Sequence, residues 1–307
     1  MRSKISIIGA GMVGAQTASL IAQRNLGDVV LIDIEADMAK GKALDILQSL
    51  PIVDSPVSVS GGGDYALTKN SDIIVVVAGI PRKPGMTREQ LVETNAKIVG
   101  DVTRKAAPLS KHAILIVVTN PLDVMAYVAK KASGFPKERV IGMAGILDSS
   151  RFRAFIAQEA HVHPKDVSVL VLGSHGEEMV PLERFALINN KPAVDVLGKK
   201  LHDIVERTKN AGAEIVSLLK TGSAYYAPAA AITEMVESIL KDQKKTLPCS
   251  VYLDGEYGVK DVYIGVPVVL GKHGVEKIID VKLTADEKKR FDGAVKSIQG
   301  MIAHINV

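Results

Sequence analysis

The sequence predicts a doubly wound α/β domain built on a parallel sheet, followed by an α+β lobe with antiparallel strands. Three observations carry this reading. Short β-branched runs alternate with longer helical patterns through the first half, a glycine-rich turn follows the first of those runs, and near Gly142 the alternation gives way to strands without intervening helices. Near-continuous apolar strands joined through helices need crossover connections and give a parallel sheet buried on both faces. Strands that follow one another without a helix pair antiparallel.

Taken in order, residues 5–8, 29–32, 57–59, 73–77 and 114–118 read as strands because they are short, apolar and rich in Val and Ile. Between several of them, 12–23, 36–47, 87–107 and 122–131 carry helical periodicity. In the second half a helix is expected to begin around Ser149, followed by an apolar strand at 167–172 and helices over 197–219 and 227–240. Strand-like runs at 251–253, 262–264, 266–270 and 275–281 come next, then a last helix from about Ala285 toward His304. The division is placed at 1–145 and 146–307. With no Ser/Gly-rich linker between them, the two lobes are expected to pack as one body with the site in the cleft between them.

Composition narrows the function classes. The chain has 307 residues, 47% of them hydrophobic, with no Trp and a net charge of +4. So few aromatics and such a modest, interspersed positive charge argue against a nucleic-acid partner. The sole cysteine, Cys249, excludes an intrachain disulfide and cannot build a thiolate metal site, which fits a reducing cytoplasm. Met1-Arg2-Ser3-Lys4 leads straight into a strand-like run and no long apolar span follows, so neither a leader nor a membrane segment is expected.

Gly9-Ala10-Gly11-Met12-Val13-Gly14 follows a strand and opens a helix. In that context it is the dinucleotide fingerprint of a Rossmann domain: Gly9 for the tight turn, Gly11 for close approach of the pyrophosphate, and Gly14 for helix-to-strand packing. Asp33 ends the second strand, about 20 residues on, where a carboxylate accepts both ribose hydroxyls and repels a 2′-phosphate. NAD is therefore expected rather than NADP. Ala78-Gly79 and Val118-Thr119-Asn120 stand at later strand ends, where open α/β sheets bind ligands.

Three segments carry candidate chemistry. Residues 80–88, with Arg82, Lys83 and Arg88, form a Pro/Gly-punctuated basic loop, which by itself reads more readily as a solvated loop than as a site. Asp148 and Arg151 share one face at the start of a helix, as a functional pair or a local ion pair. His175, between Ser174 and Gly176 after an apolar strand, sits where a substrate must approach a histidine.

In these segments, together with Asn95 and Thr221-Gly222-Ser223-Ala224, the whole chain resembles the lactate/malate dehydrogenase superfamily, and within it the lactate-dehydrogenase-like malate group. The resemblance implies that His175 is the proton acceptor and donor, that Asp148 fixes its tautomer, and that Arg151 grips the carboxylate beside the reacting carbon. It implies that Arg88 and Asn120 bind the reacting oxygen, that the basic loop closes over substrate, and that Asn95 joins the cofactor contacts named above. Arg82 is implied to face the second carboxylate of malate or oxaloacetate, where lactate-specific members carry an uncharged residue. A small dicarboxylate substrate, a step of the tricarboxylic acid cycle and a homo-oligomer, tetramer before dimer, are implied as well. One departure is Glu177, where the family commonly has Asp.

Other features read as structural: His161-x-His163 as a surface turn with no metal, 241–245 as a solvated helix end, Tyr225-Tyr226 at the cleft or an interface, and Cys249 in the core. A lactate or other 2-hydroxy-acid dehydrogenase stays open as an alternative. So, more distantly, do an NAD-dependent glycosidase, which needs a Cys/His metal arrangement this chain does not offer, and a non-catalytic NAD-binding module.

Overall fold

The structure, a computed structural model, describes residues 2–81 and 85–305. Its first half runs β1 (Lys4–Ile8), α1 (Met12–Gln23), β2 (Asp28–Ile32), α2 (Ala36–Ser49), β3 (Val59–Gly62), β4 (Ile73–Val76), α3 (Arg88–Ala106), β5 (Ile114–Val117), α4 (Leu122–Ser133) and β6 (Val140–Gly142). The strands lie in the order β3-β2-β1-β4-β5-β6, all parallel. This is the doubly wound arrangement, and its switch point falls between β1 and β4, where an open α/β sheet binds its ligand. The inner strands are buried on both faces, with β4 and β5 buried at every position, as crossover helices on either side require.

The second half runs α5 (Gly145–Ala160), β7 (Val167–Ser168), β8 (Val171–Gly173), β9 (Met179–Pro181), β10 (Leu187–Ile188), β11 (Lys191–Pro192), α6 (Ala193–Leu197), α7 (Lys200–Leu219), α8 (Tyr226–Leu240), β12 (Lys245–Asp254), β13 (Lys260–Gly271), β14 (Gly274–Ile278) and α9 (Ala285–Ala303). Its main strands do not form a separate sheet. β12 pairs antiparallel with β6 through Ser250 and Gly142, and β13, β8 and β9 continue outward, so the described residues make one 11-stranded sheet. A small antiparallel sheet, β11-β10-β7, stands apart over its own apolar cluster around Phe152, Ile156 and Val205.

Several expectations shift. The third strand lies at Val59–Gly62 rather than 57–59, since the ladder follows β2 and not the apolar run. The 167–172 segment divides between two sheets as β7 and β8. The separate runs at 262–264 and 266–270 are one strand, because Gly265 stays in the ladder opposite Ser250. α5 begins at Gly145, ahead of Ser149. The short strands β6 and β9 escaped notice, being too brief for periodicity to mark. Cys249 is fully buried in the core.

Candidate active site

The glycine turn is shaped by contact. Gly9 adopts φ +107°, and a Cβ there would lie 2.7 Å from the Ala78 nitrogen. At Gly14 a Cβ would lie 1.9 Å from the Gly9 carbonyl oxygen, so only glycine lets α1 sit on the turn. At Gly11 no atom stands within 4 Å of the same position: the turn is open on that side, as close approach of a pyrophosphate requires.

Gly9, Gly11, Met12, Val13, Asp33, Ala78 and Gly79 line a cavity of about 540 Å³. The Ala10 peptide is held from both sides, its N–H donating to Asp33 Oδ2 at 2.7 Å and its carbonyl accepting from Lys42 Nζ at 2.7 Å. Ala10 and Gly14 therefore shape the turn rather than line the cavity. Asp33 Oδ1 accepts from the Glu35 N–H at 3.1 Å, and a carboxylate has lone pairs beyond those two bonds for ribose hydroxyls.

Asn95 joins the loops that line the groove. It is 1% exposed, and its amide is taken up by two loops: Oδ1 accepts from the Ile80 N–H at 2.9 Å, while Nδ2 donates to the carbonyls of Ile80 at 3.1 Å and Asn120 at 2.7 Å. Asn95 thus fastens the segments after β4 and β5 to α3. Thr119 does similar work, donating to the Ala78 carbonyl at 2.7 Å.

A second cavity of about 480 Å³ shares Val13, Gly79, Ile80 and Ser223 with the first, so one groove runs on from Asp33 to His175. Its walls include Val118, Thr119, Asn120, Arg151 and His175, and the α7 residues Lys209, Gly212 and Val216. His175 follows β8, and Ser149 of α5 fixes that strand by accepting from the Val171 N–H at 3.2 Å. The His175 Nδ1 lies 2.9 Å from Asp148 Oδ2, and Asp148 is 1% exposed. Burial favours the neutral imidazole, but the charge of Asp148 and its hydrogen bond, with Asp123 behind, outweigh both burial and Arg151 and hold His175 above its ordinary value.

Arg151 lies 3.5 Å from Asp148 Oδ1 and packs near Gly212 of α7. Burial disfavours its charge and Asp148 restores part of it. The Arg151 Nε is buried without a hydrogen-bond partner among the described residues. A guanidinium with an unpaired N–H on a cleft wall is suited to gripping a carboxylate.

Not every expected residue meets this cluster. Arg88 is the first residue of α3, just after Thr87, which caps the helix in a reciprocal bond with Gln90. It is exposed and does not line the groove. Arg82 lies outside the described residues. Two residues that sequence reasoning passed over are Lys42 of α2, which reaches the glycine turn, and Asp123, beneath His175. Lys42 had no signal in a run of helical periodicity. Asp123, three residues after Asn120, stood in view but looked like an ordinary acid in a first helical turn.

The profile described as lactate/malate dehydrogenase, NAD binding domain, matches residues 3–142, and that of the lactate/malate dehydrogenase alpha/beta C-terminal domain matches 146–306. This chain belongs to the lactate/malate dehydrogenase family. Its first half is the family's NAD-binding domain, so NAD is the cofactor the groove serves. The malate dehydrogenase of Roseiflexus castenholzii is 53% identical over 304 residues, covering 99% of this chain and 98% of that relative. The crystal structure of Cryptosporidium parvum malate dehydrogenase has a TM-score of 0.96 at 44% identity, covering 99% of this chain and 98% of that one. A lactate dehydrogenase from the same organism, complexed with lactic acid and NAD, has a TM-score of 0.94 at 41% identity, covering 99% and 98%. Family members of both substrate types therefore share this backbone.

Proposed function

We propose that this family member is a malate dehydrogenase, oxidising (S)-malate to oxaloacetate and reducing it back. The observation that carries the chemistry is the meeting of His175, Asp148 and Arg151 on one wall of the groove that begins at Asp33. With Nδ1 held by Asp148, the other ring nitrogen is the one free to work. His175 takes the hydroxyl proton of malate in oxidation and returns it to the carbonyl oxygen in reduction. Asp148 fixes the tautomer and stabilises the imidazolium formed. Arg151 grips the carboxylate next to the reacting carbon with two parallel hydrogen bonds. The bound nicotinamide supplies or accepts the hydride at carbon 2. Asn120 lines the same groove and is the side chain proposed to hydrogen-bond the reacting oxygen. Arg88, the first residue of α3, is proposed to bind the same oxygen.

The choice of malate over lactate is supported by the names of the curated relatives and by Arg82 in the sequence. A second carboxylate pairs with that guanidinium, whereas pyruvate offers it no partner. The functional units in this reading are residues 1–145 and 146–307, with Glu177 keeping the usual negative charge near His175. Self-association as a homotetramer is supported by apolar side chains left exposed on α7, namely Val216, Leu218 and Leu219. A cytoplasmic place in the tricarboxylic acid cycle follows from the same reading. No helix of the described residues is long and apolar enough to cross a membrane.

The test is NADH consumption with oxaloacetate, pyruvate and 2-oxoglutarate in parallel. Oxaloacetate is expected to dominate. A preference for pyruvate assigns the chain to the lactate branch, and turnover of none of them refutes the dehydrogenase reading.

A further inference from the structure

Beneath the loop that carries His175 lies a second carboxylate, Asp123, which the chemistry above does not use. It stands in the first turn of α4 and is 3% exposed. Its Oδ2 accepts from the Ser174 hydroxyl at 2.9 Å and from the backbone N–H of His175 at 3.1 Å, and its Oδ1 accepts from the Ser250 hydroxyl at 2.7 Å. All three partners donate, the arrangement that an ionised carboxylate takes. Burial holds this carboxyl above the usual carboxylate range, although the two hydroxyls, the backbone N–H and the His175 ring pull it part of the way back. A charge near the start of α4 suits the helix dipole, but an exposed side chain would serve that purpose without the cost of desolvation.

The location gives the burial a purpose. Ser250 lies opposite Gly142, where the antiparallel half of the sheet joins the parallel half. Asp123 thus joins α4, β12 and the catalytic loop at that seam. α4 also begins directly after Thr119-Asn120-Pro121, so one helix terminus sets both Asn120 at the groove and the backbone of His175.

We propose that Asp123 is a positioning residue for proton transfer: it holds the main chain of His175 from beneath while Asp148 holds the ring. The imidazole is then fixed at two points by carboxylates on two different helices. This deepens the role given to His175 above and rests on it. The charged groups facing His175 are Asp148 and Arg151 of α5, Asp123 of α4, Glu177 on its own loop and Lys209 of α7. Loss of the Asp123 charge removes one of the influences favouring the protonated ring.

The experiment uses the full chain with Asp123→Asn, which keeps shape and removes the charge. Expected are a fall in kcat of about tenfold or more, unchanged affinity for NADH by fluorescence titration, and an acidic limb of kcat/KM for malate moved to lower pH. Wild-type kcat and limb overturn the proposal. So does a loss of kcat that only tracks a loss of folded protein while the limb stays in place, because that is a purely structural role. The Ser174→Ala/Ser250→Ala double variant loosens the carboxylate without removing it. It is expected to lose kcat in smaller measure at unchanged NADH affinity, and wild-type turnover there overturns the proposal even if Asp123→Asn does not fold. His175→Gln measured alongside separates the two levels: if it keeps turnover, the reading of His175 has failed, and not the geometry of Asp123 alone.

Discussion

The His175 Nδ1 and the Asp148 Oδ2 are 2.9 Å apart, in a pair walled from solvent on the carboxylate side and open to the groove on the ring side. Because Asp148 favours the protonated ring, His175 is held above its ordinary value, which is about 6.5 for an unperturbed imidazole. The direction of the pH dependence follows. Malate oxidation needs the neutral ring, so its kcat/KM is expected to rise through a midpoint above that value. Oxaloacetate reduction needs the protonated ring and is expected to fall through the same midpoint. Asp148→Asn lowers that midpoint and slows both directions; initial rates across pH with saturating cofactor check it.

Replacing the histidine tests the proton path itself. His175→Gln is expected to lower kcat by about 10²- to 10⁴-fold and to leave NADH binding intact, since the ring lies beyond the part of the groove lined by Asp33 and Gly11. Stopped-flow turnover beside a fluorescence titration measures both quantities.

Arg151→Lys keeps the charge and removes the planar fork. The expected loss in kcat/KM for oxaloacetate is about two to three orders of magnitude. A loss of less than about tenfold in steady-state kinetics would show that simple charge, and not bidentate geometry, holds the carboxylate.

Gly11→Ala and Gly14→Ala part company on contact grounds. The Gly14 Cβ would overlap the Gly9 carbonyl oxygen at 1.9 Å, so this variant is expected to lose stability by roughly 3 kcal/mol or more. The Gly11 Cβ meets nothing within 4 Å, so that variant is expected to keep its Tm while binding NADH more weakly, because the methyl enters the side left open for the dinucleotide. Thermal denaturation and NADH titration of both proteins check the contrast.

Arg82→Gln addresses the substrate choice. The ratio of kcat/KM for oxaloacetate to that for pyruvate is expected to fall by about a hundredfold or more, at tenfold per 1.4 kcal/mol of lost pairing. An unchanged ratio would place the specificity elsewhere in the loop or groove.

The cofactor half was the more legible in sequence. Most of its strands are short apolar runs because the inner strands of a parallel sheet are buried on both faces, and Gly9 and Gly14 of the turn answer contacts that only a missing Cβ relieves, while Gly11 leaves the turn open. The second half was harder to divide. β7 and β8 are contiguous apolar sequence, and only pairing partners in two different sheets part them. Asn95 shows the limit for single residues. The resemblance points it to the cofactor, but nothing in the sequence shows its hydrogen bonds to Ile80 and Asn120, loops whose approach depends on the packing of α3.

By itself the sequence determined the doubly wound domain, the NAD fingerprint with Asp33, and the residue types for proton transfer and carboxylate capture. These are local: periodicity, turn chemistry and residue spacing are carried by neighbouring positions in the chain. Only the tertiary structure decided that both halves share one sheet, that Arg88 stands outside the groove while Arg151 lines it, and that Asp123 reaches His175 across 52 positions. Such relationships arise where segments distant in sequence are packed together, and a buried carboxylate shows its purpose only when its donors are in place.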